Sequence, residues 1–139
     1  MKKLTSFLPL ILLLFFISCK KANTSADNAN ETLPTGTTLA GGSFNSNAHL
    51  SSGTVKVIKD ATNKIYLVFE NFKTDNGPDL RVWLSPDNNA TTYKEVGLLK
   101  AVSGNFYYTL DASFNYTANN HVLLWCKSFA VLFGNAVLQ

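Results

Sequence analysis

The feature that most constrains the fold of this chain is a series of short apolar runs, several of them alternating with polar residues and all separated by turn-forming clusters. A period of two residues is typical of a strand with one buried face. No window of about twelve residues shows the 3.6-residue period of an amphipathic helix. The pattern predicts an all-β fold, an antiparallel β-sandwich or barrel-like domain of about seven to nine strands. The runs are Val55–Val57, Ile65–Phe69, Leu80–Leu84, Phe106–Leu110, Val122–Cys126 and Phe129–Phe133.

Clusters rich in Gly, Asn, Asp, Ser and Pro indicate where these strands end. Ile65–Phe69 is apolar on both faces, which favours a central strand. The composition changes at Leu39, and the chain is 46% apolar, enough for one hydrophobic core. We therefore place the β domain at residues 39–139. The predicted turns are Asp75–Pro78, Ser85–Asn89 and Ser103–Asn105.

The N-terminal residues 1–18 are predicted to be a lipoprotein signal peptide. Met1–Lys3 is a basic head, and the apolar run Phe7–Ile17 would rise about 16 Å as a helix, roughly half of a bilayer core. This length favours a secretory signal over a membrane span. Ser18-Cys19 resembles the end of a bacterial lipobox, which implies cleavage before Cys19 and acylation of that cysteine. The alternative is cleavage by an ordinary signal peptidase, with Cys19 incidental.

Residues 19–38 are predicted to be a flexible membrane tether. From Lys20 to Thr38 the chain has no aromatic residue and one leucine, so it buries too little surface to offset the entropy of ordering.

Lys20 indicates the membrane in which the protein is expected, because lipoproteins of the inner membrane typically have Asp at that position. The protein is therefore expected in the cell envelope, lipid-anchored and on the outer membrane, with the periplasmic and the surface face both open.

Charge and motifs exclude several function classes. Without Lys2 and Lys3 of the signal, ten basic residues face nine acidic ones, too even a balance for a nucleic-acid partner. The sequence has no G-x-S-x-G, phosphate loop, H-E-x-x-H or C-x-x-C, so we predict neither a hydrolase nor a structural zinc site. The expected partners are the membrane, through the anchor at Cys19, and a redox partner in the envelope.

Cys126 is the first candidate site residue. If Cys19 is acylated, Cys126 has no partner within the chain, and an odd cysteine in an exported protein is a free thiol, an intermolecular bridge or a cofactor ligand. The competing interpretation is a small buried hydrophobe, since free cysteine is among the most buried residue types. Alternation places Cys126 on the face of Val122 and Leu124, and His121 on the opposite face.

Two further polar residues lie in predicted loops. His49 follows a Ser- and Asn-rich stretch, where a histidine is either a surface hydrogen-bonding group or a ligand. Asp79 follows the Gly77-Pro78 turn and is expected to accept hydrogen bonds from loop amides.

One set of residues, taken in chain order, is distinctive: Gly42, Phe44, His49, Gly53, Asn71–Leu80 and the pattern Trp125-Cys126-Lys127-x-Phe129-x-Val131-x-Phe133-Gly134-x-Ala136-x-Leu138. In these residues the chain resembles the DM-thirteen (DM13) family, an electron-transfer domain, over about Gly41 to Leu138. The resemblance implies electron transfer in which Cys126 acts as a bare thiol or holds a prosthetic group such as haem. Such a haem would be non-covalent, because the chain has no C-x-x-C-H. His49 matches a histidine position of the family and is the second candidate ligand.

One segment, Tyr107–Leu110, departs from the family pattern, in which a proline usually closes that strand.

The sequence leaves two functional hypotheses for the domain. The first is a lipid-anchored electron-transfer module that uses Cys126. The alternative is a non-catalytic β-sandwich for binding or adhesion, in which Cys126 only fills the core.

Overall fold

The computed structural model describes residues 24–112 and 114–139, which form two five-stranded sheets packed face to face. The sheets are open rather than closed into a barrel, so the predicted β-sandwich is confirmed. Within these ranges no helix is long and apolar enough to cross a bilayer. The strands are β1 (Ala29–Asn30), β2 (Thr37–Ser43), β3 (Asn45–Ser46), β4 (Ser51–Lys59), β5 (Ile65–Thr74), β6 (Leu80–Ser85), β7 (Lys94–Leu98), β8 (Ser103–Leu110), β9 (His121–Cys126) and β10 (Val131–Val137).

The first sheet has the order β1-β8-β5-β4-β2 and the second the order β3-β10-β9-β6-β7. Neighbouring strands are antiparallel except β1 and β8, which run parallel. The core lies between the sheets because alternate residues of each inner strand face it. Its side chains include Val55, Val57, Leu67, Phe69, Phe72 and Phe106 from the first sheet, and Leu80, Val82, Leu84, Val122, Leu124, Cys126 and Phe133 from the second.

The predicted central strand is confirmed as β5, which pairs with β4 on one side and β8 on the other. Phe69 lies at the centre of an aromatic group in the core. Its ring stacks on Phe106 with centroids 4.8 Å apart and on Phe44 at 5.4 Å, and Phe72 meets it edge-on at 5.3 Å. Such offset and edge-on arrangements add to the stabilisation from burial alone.

A bulge in the β4–β5 ladder requires a glycine. Gly53 has φ 100° and faces Asn71, which has φ 48°. A Cβ on Gly53 would lie 2.6 Å from the Asn71 carbonyl oxygen. Only glycine adopts this conformation without strain, so the family-like Gly53 has an architectural role.

The strands end in two sets of loops at opposite ends of the sandwich. One set comprises residues 47–50, 75–79, 99–102 and 127–130, and it adjoins the last residue of β9. We call this the Cys126 end. The other, or far, end carries residues 60–64 and 86–93.

The flexible tether predicted for residues 19–38 is wrong for its described part. Ala26 forms a parallel bridge with Ala101, β1 pairs with β8, and Lys100 forms an ion pair with Glu31 at 2.9 Å. The prediction failed because it considered only what the side chains bury, whereas this segment pairs through its backbone with an open sheet edge. The folded domain therefore begins near Thr24 instead of Leu39. The predicted signal peptide (1–18) and Cys19 lie outside the described residues.

Some strand boundaries also differ from the predictions. Ser103–Asn105, predicted as a turn, belongs to β8, because Gly104 and Asn105 pair with β1. The predicted run Phe129–Phe133 begins as a strand only at Val131, and Phe129 lies in the preceding turn. The described residues form ten strands because β1 and β3, of two residues each, have no apolar pattern to reveal them.

Candidate functional site

Cys126 is the last residue of β9 and is fully buried. It pairs with Leu80 of β6 and Val131 of β10, and its side chain belongs to the core with Val122 and Leu124, as the alternation predicts. Its relative exposure is 0%. It is a free thiol, and no other cysteine lies in the described residues. The thiol therefore sits in the core at the Cys126 end, beyond direct contact with solvent.

His49 lies in the loop before β4 and is held in place on two sides. Its Nδ1 donates to Oδ2 of Asp75 at 3.2 Å, and the same carboxylate oxygen accepts from the amide of Leu50 at 3.3 Å. Its ring stacks on Phe133 with centroids 3.8 Å apart. The side chains of His49 and Asp75 remain 41% and 48% exposed. His49 is thus an oriented, solvent-accessible imidazole.

His49 forms one wall of a mainly apolar groove of about 340 Å³. The groove opens beside the Gly77-Pro78 turn, where the side-chain oxygen of Asn76 accepts from the Gly77 amide at 2.8 Å. The turn packs closely on the sandwich here, since a Cβ at Gly77 would lie 3.0 Å from the Phe133 ring. The lining residues are His49, Asn76, Gly77, Pro78, Phe129, Val131 and Phe133.

The structure does not bring Cys126 and His49 into one cavity. Cys126 does not line the groove, but Val131 does, and Val131 is the direct cross-strand neighbour of Cys126. The Cβ atoms of such neighbours are about 5 Å apart and point to the same face. Val131 therefore both lines the groove and neighbours the thiol.

These positions do not fit a haem held by both Cys126 and His49. A thiolate ligand needs an open face toward the iron, and Cys126 has no exposed surface. Its neighbours are close-packed apolar side chains of the core. The described residues contain no group of three or more His, Cys, Asp or Glu side chains placed to hold a metal ion. The arrangement instead offers a shielded thiol behind an apolar groove with an imidazole on its rim.

The outer face of β9 is covered by stacked aromatic rings. Trp125 stacks on Trp83 with centroids 5.1 Å apart, and Trp83 on Tyr93 at 3.6 Å. The indole of Trp83 donates to Glu95 at 3.1 Å. Because this face is covered as well, Cys126 has no access from the outer side of its own sheet.

Asp79 binds a guanidinium group instead of the loop amides that the sequence suggested. Its carboxylate accepts from Nε of Arg81 at 2.6 Å, and this bond raises the pKa of Arg81 above its ordinary value. Arg81 also donates to Glu95 at 2.9 Å. This pair was not predicted, because the spacing of two residues between Asp79 and Arg81 was not considered as a contact. His121, at the far end, bonds to Asn88 at 2.8 Å and takes no part in the site.

The partners of His49 were also missed as functional residues. Asp75 was interpreted as part of a turn, and Phe133 only as part of a strand. They meet His49 from sequence separations of 26 and 84 residues, across loops whose arrangement depends on the packing of both sheets. The only signal in the sequence was that all three fall within the family-like pattern.

The comparison with known proteins places the chain in a family. A family model described as electron transfer DM13 matches residues 43–138. No curated protein and no solved structure matches the chain. The matched segment runs from the end of β2 to the end of β10 and contains both His49 and Cys126. Since it covers well over half of the 139 residues, the chain belongs to the DM13 electron-transfer family.

Proposed function

We propose that this protein is a lipid-anchored electron-transfer module of the cell envelope whose redox group is the Cys126 thiol. The observation that carries the proposal is the position of this thiol: it is free, and its cross-strand neighbour Val131 lines an accessible groove. Membership of an electron-transfer family supports a redox role for the domain as a whole.

The chemistry that suits a lone thiol is thiol–disulfide exchange with a partner. The Cys126 thiolate attacks one sulfur of a partner disulfide, the partner S–S bond breaks, and its second sulfur leaves as a thiolate. The product is a mixed disulfide, which a dithiol of a second protein resolves in two exchanges. Its first thiolate attacks the Cys126 sulfur and releases the reduced partner. Its second thiolate then closes a disulfide within the second protein and releases the Cys126 thiolate. The two electrons thus pass from that second protein to the first. Displacement of Val131 is the conformational step that this exchange requires.

The anchor is proposed from the sequence. Cys19 ends a lipobox-like signal, and several acyl chains at about 0.8 kcal/mol per buried methylene would hold the chain on a membrane. Lys20, in place of the aspartate of inner-membrane lipoproteins, supports the outer membrane. Mass spectrometry of the N-terminal peptide tests this, and a Cys19–Cys126 disulfide would refute both the anchor and the free thiol.

The redox role is tested by the rate at which the native full chain, purified from membranes in detergent, reacts with an aromatic disulfide that releases a coloured thiolate. We expect slow native release of one thiolate per chain, none from Cys126→Ala, and faster release from Val131→Ala. Val137→Ala is the matched control, since it makes the same change in β10 beside His121, at the other end of the strand. It should react like the wild type.

The alternative is a non-catalytic binding module, and the full burial of Cys126 favours it. Free cysteine in apolar surroundings often serves only as packing. If Cys126 reacts only after unfolding, and Val131→Ala reacts no faster than Val137→Ala, this alternative replaces the redox proposal.

A further inference from the structure

The two most exposed large apolar side chains of the described residues both lie at the Cys126 end. Leu50 is 73% exposed and Phe129 is 70% exposed. Single exposed apolar residues are common on protein surfaces. Here, however, Phe129 belongs to the lining of the apolar groove, and Leu50 directly follows His49 of the same groove. Leu50 itself lines a second pocket, with Lys73 and Asp75. The two side chains together form the exposed apolar surface of this end, and the described residues leave both largely uncovered.

The N-terminal part of the chain reaches the domain at this same end. The amide of Val102 donates to the carbonyl of Ala26 at 2.9 Å, and the amide of Thr74 donates to the carbonyl of Val102 at 2.8 Å. The next residue, Asp75, donates its amide to the carbonyl of Leu50 at 3.3 Å. A continuous path of backbone hydrogen bonds thus connects Ala26 with one of the two exposed apolar residues.

The length of chain before the domain limits how far this end can be from the anchor. Four residues separate Cys19 from Thr24. Even fully extended, the chain between these two positions spans no more than about 18 Å. A domain tethered so closely cannot turn its far end toward the membrane without a much longer linker.

The charges at this end suit a phospholipid surface. Lys73 and Lys127 are exposed there, and neither forms an ion pair within the described part of the chain. Of the carboxylates at this end, Asp75 accepts from His49 and Asp79 is bound to Arg81, while Asp27 is exposed. Lysines beside exposed apolar side chains are typical of segments that enter the interfacial region of a bilayer.

We infer that the Cys126 end rests on the bilayer that holds the anchor, with Leu50 and Phe129 inserted among the headgroups. This inference depends on the proposed acylation of Cys19 and goes beyond it, because an anchor alone does not orient the domain. The occupant of the apolar surface is the lipid surface itself. The mouth of the groove then faces the membrane, so the exchange proposed for Cys126 requires this end to lift from the bilayer.

The test places a tryptophan at each of two exposed apolar positions. The full-length lipoprotein carrying Phe129→Trp, and separately Leu39→Trp, is incorporated into vesicles of phosphatidylcholine and phosphatidylglycerol with brominated acyl chains. Leu39 is 36% exposed on β2 and serves as the matched control away from the Cys126 end. The native Trp83 and Trp125 give the same background in both variants.

We expect brominated lipid to quench the added fluorescence at position 129 at least about twofold more than at position 39, because only the former reaches the acyl boundary. Flotation of the vesicles separates the two proposals. A chain that floats but shows equal quenching at both positions overturns the docking alone. A chain that does not float overturns the anchor and the docking with it. If emission at position 129 follows the protein-to-lipid ratio and not bromination, a second copy covers this surface, and the docking is again overturned.

Discussion

Replacement of Cys126 by serine is the most direct probe of the buried thiol. The change swaps sulfur for a hydroxyl in a site with 0% exposure, surrounded by the apolar side chains of the core. The backbone of Cys126 is already paired in ladders with β6 and β10. Burying an unpaired hydroxyl destabilises proteins by about 1–3 kcal/mol. In a domain of this size, each kcal/mol lowers the Tm by roughly 4 °C.

We therefore expect the Tm of Cys126→Ser to fall by roughly 4–12 °C, measured by circular dichroism with reductant present. Cys126→Ala is the control, because it removes the sulfur without adding a polar group and should cost about 1 kcal/mol, like the loss of one buried methyl group. The expected order of stability is wild type, then alanine, then serine. A serine variant with the Tm of the wild type would mean that the hydroxyl reaches water or a partner, and the burial argued for the thiol would be refuted.

Three further predictions concern stability elsewhere in the domain. Asp60 accepts several hydrogen bonds in the β4–β5 turn, first among them from Thr62, and these bonds lower its pKa below 3.8. Its contribution to the stability of the fold is therefore present above pH 3.8 and is lost as the pH falls through its folded-state pKa. Asp60→Asn should lower the Tm at pH 7, and the difference from wild type should shrink below pH 3.8; a constant difference in thermal scans across this range would contradict the assignment. Tyr108 donates its hydroxyl to a backbone carbonyl at 2.8 Å and accepts from a backbone amide at 2.9 Å. Tyr108→Phe should therefore destabilise by about 1–3 kcal/mol in urea unfolding, and an unchanged midpoint would show that water replaces these bonds. A methyl group on Gly134 would overlap the side chain of Ser51, so Gly134→Ala should lower the free energy of unfolding by about 1–3 kcal/mol. Gly41→Ala, where the added methyl meets only ordinary contacts, should stay near wild type in the same unfolding assay.

The parts of the fold that the sequence predicted are those in which side-chain burial decides the structure. Val122, Leu124 and Cys126 alternate with outward residues, so period two alone placed Cys126 in the core face. The double-sided run in β5 likewise marked a central strand. In both cases one strand and its local pattern are sufficient, because every residue on the inner face must be apolar.

The site itself depends on contacts that no local pattern encodes. His49 meets Asp75 and Phe133 only because loops of both sheets converge at the Cys126 end. The position of Val131 beside the thiol follows from the register of β9 and β10, which the sequence did not specify. Residues 24–38 were misassigned for a related reason: their pairing depends on backbone groups, which are the same for any side chain.

The short strand β1 closes one margin of the first sheet. It covers only Gly104 and Asn105 of β8, yet the chain around it, from Ala26 to Glu31, lies along the same strand. Without this cover, β8 would present unpaired amides and carbonyls next to Phe106 and two tyrosines. A strand of another molecule could then pair with this open edge. Recombinant versions that start at the apparent composition boundary near Leu39 would carry this open margin. Their self-association would then be an artefact of trimming, with no bearing on how the intact molecule assembles.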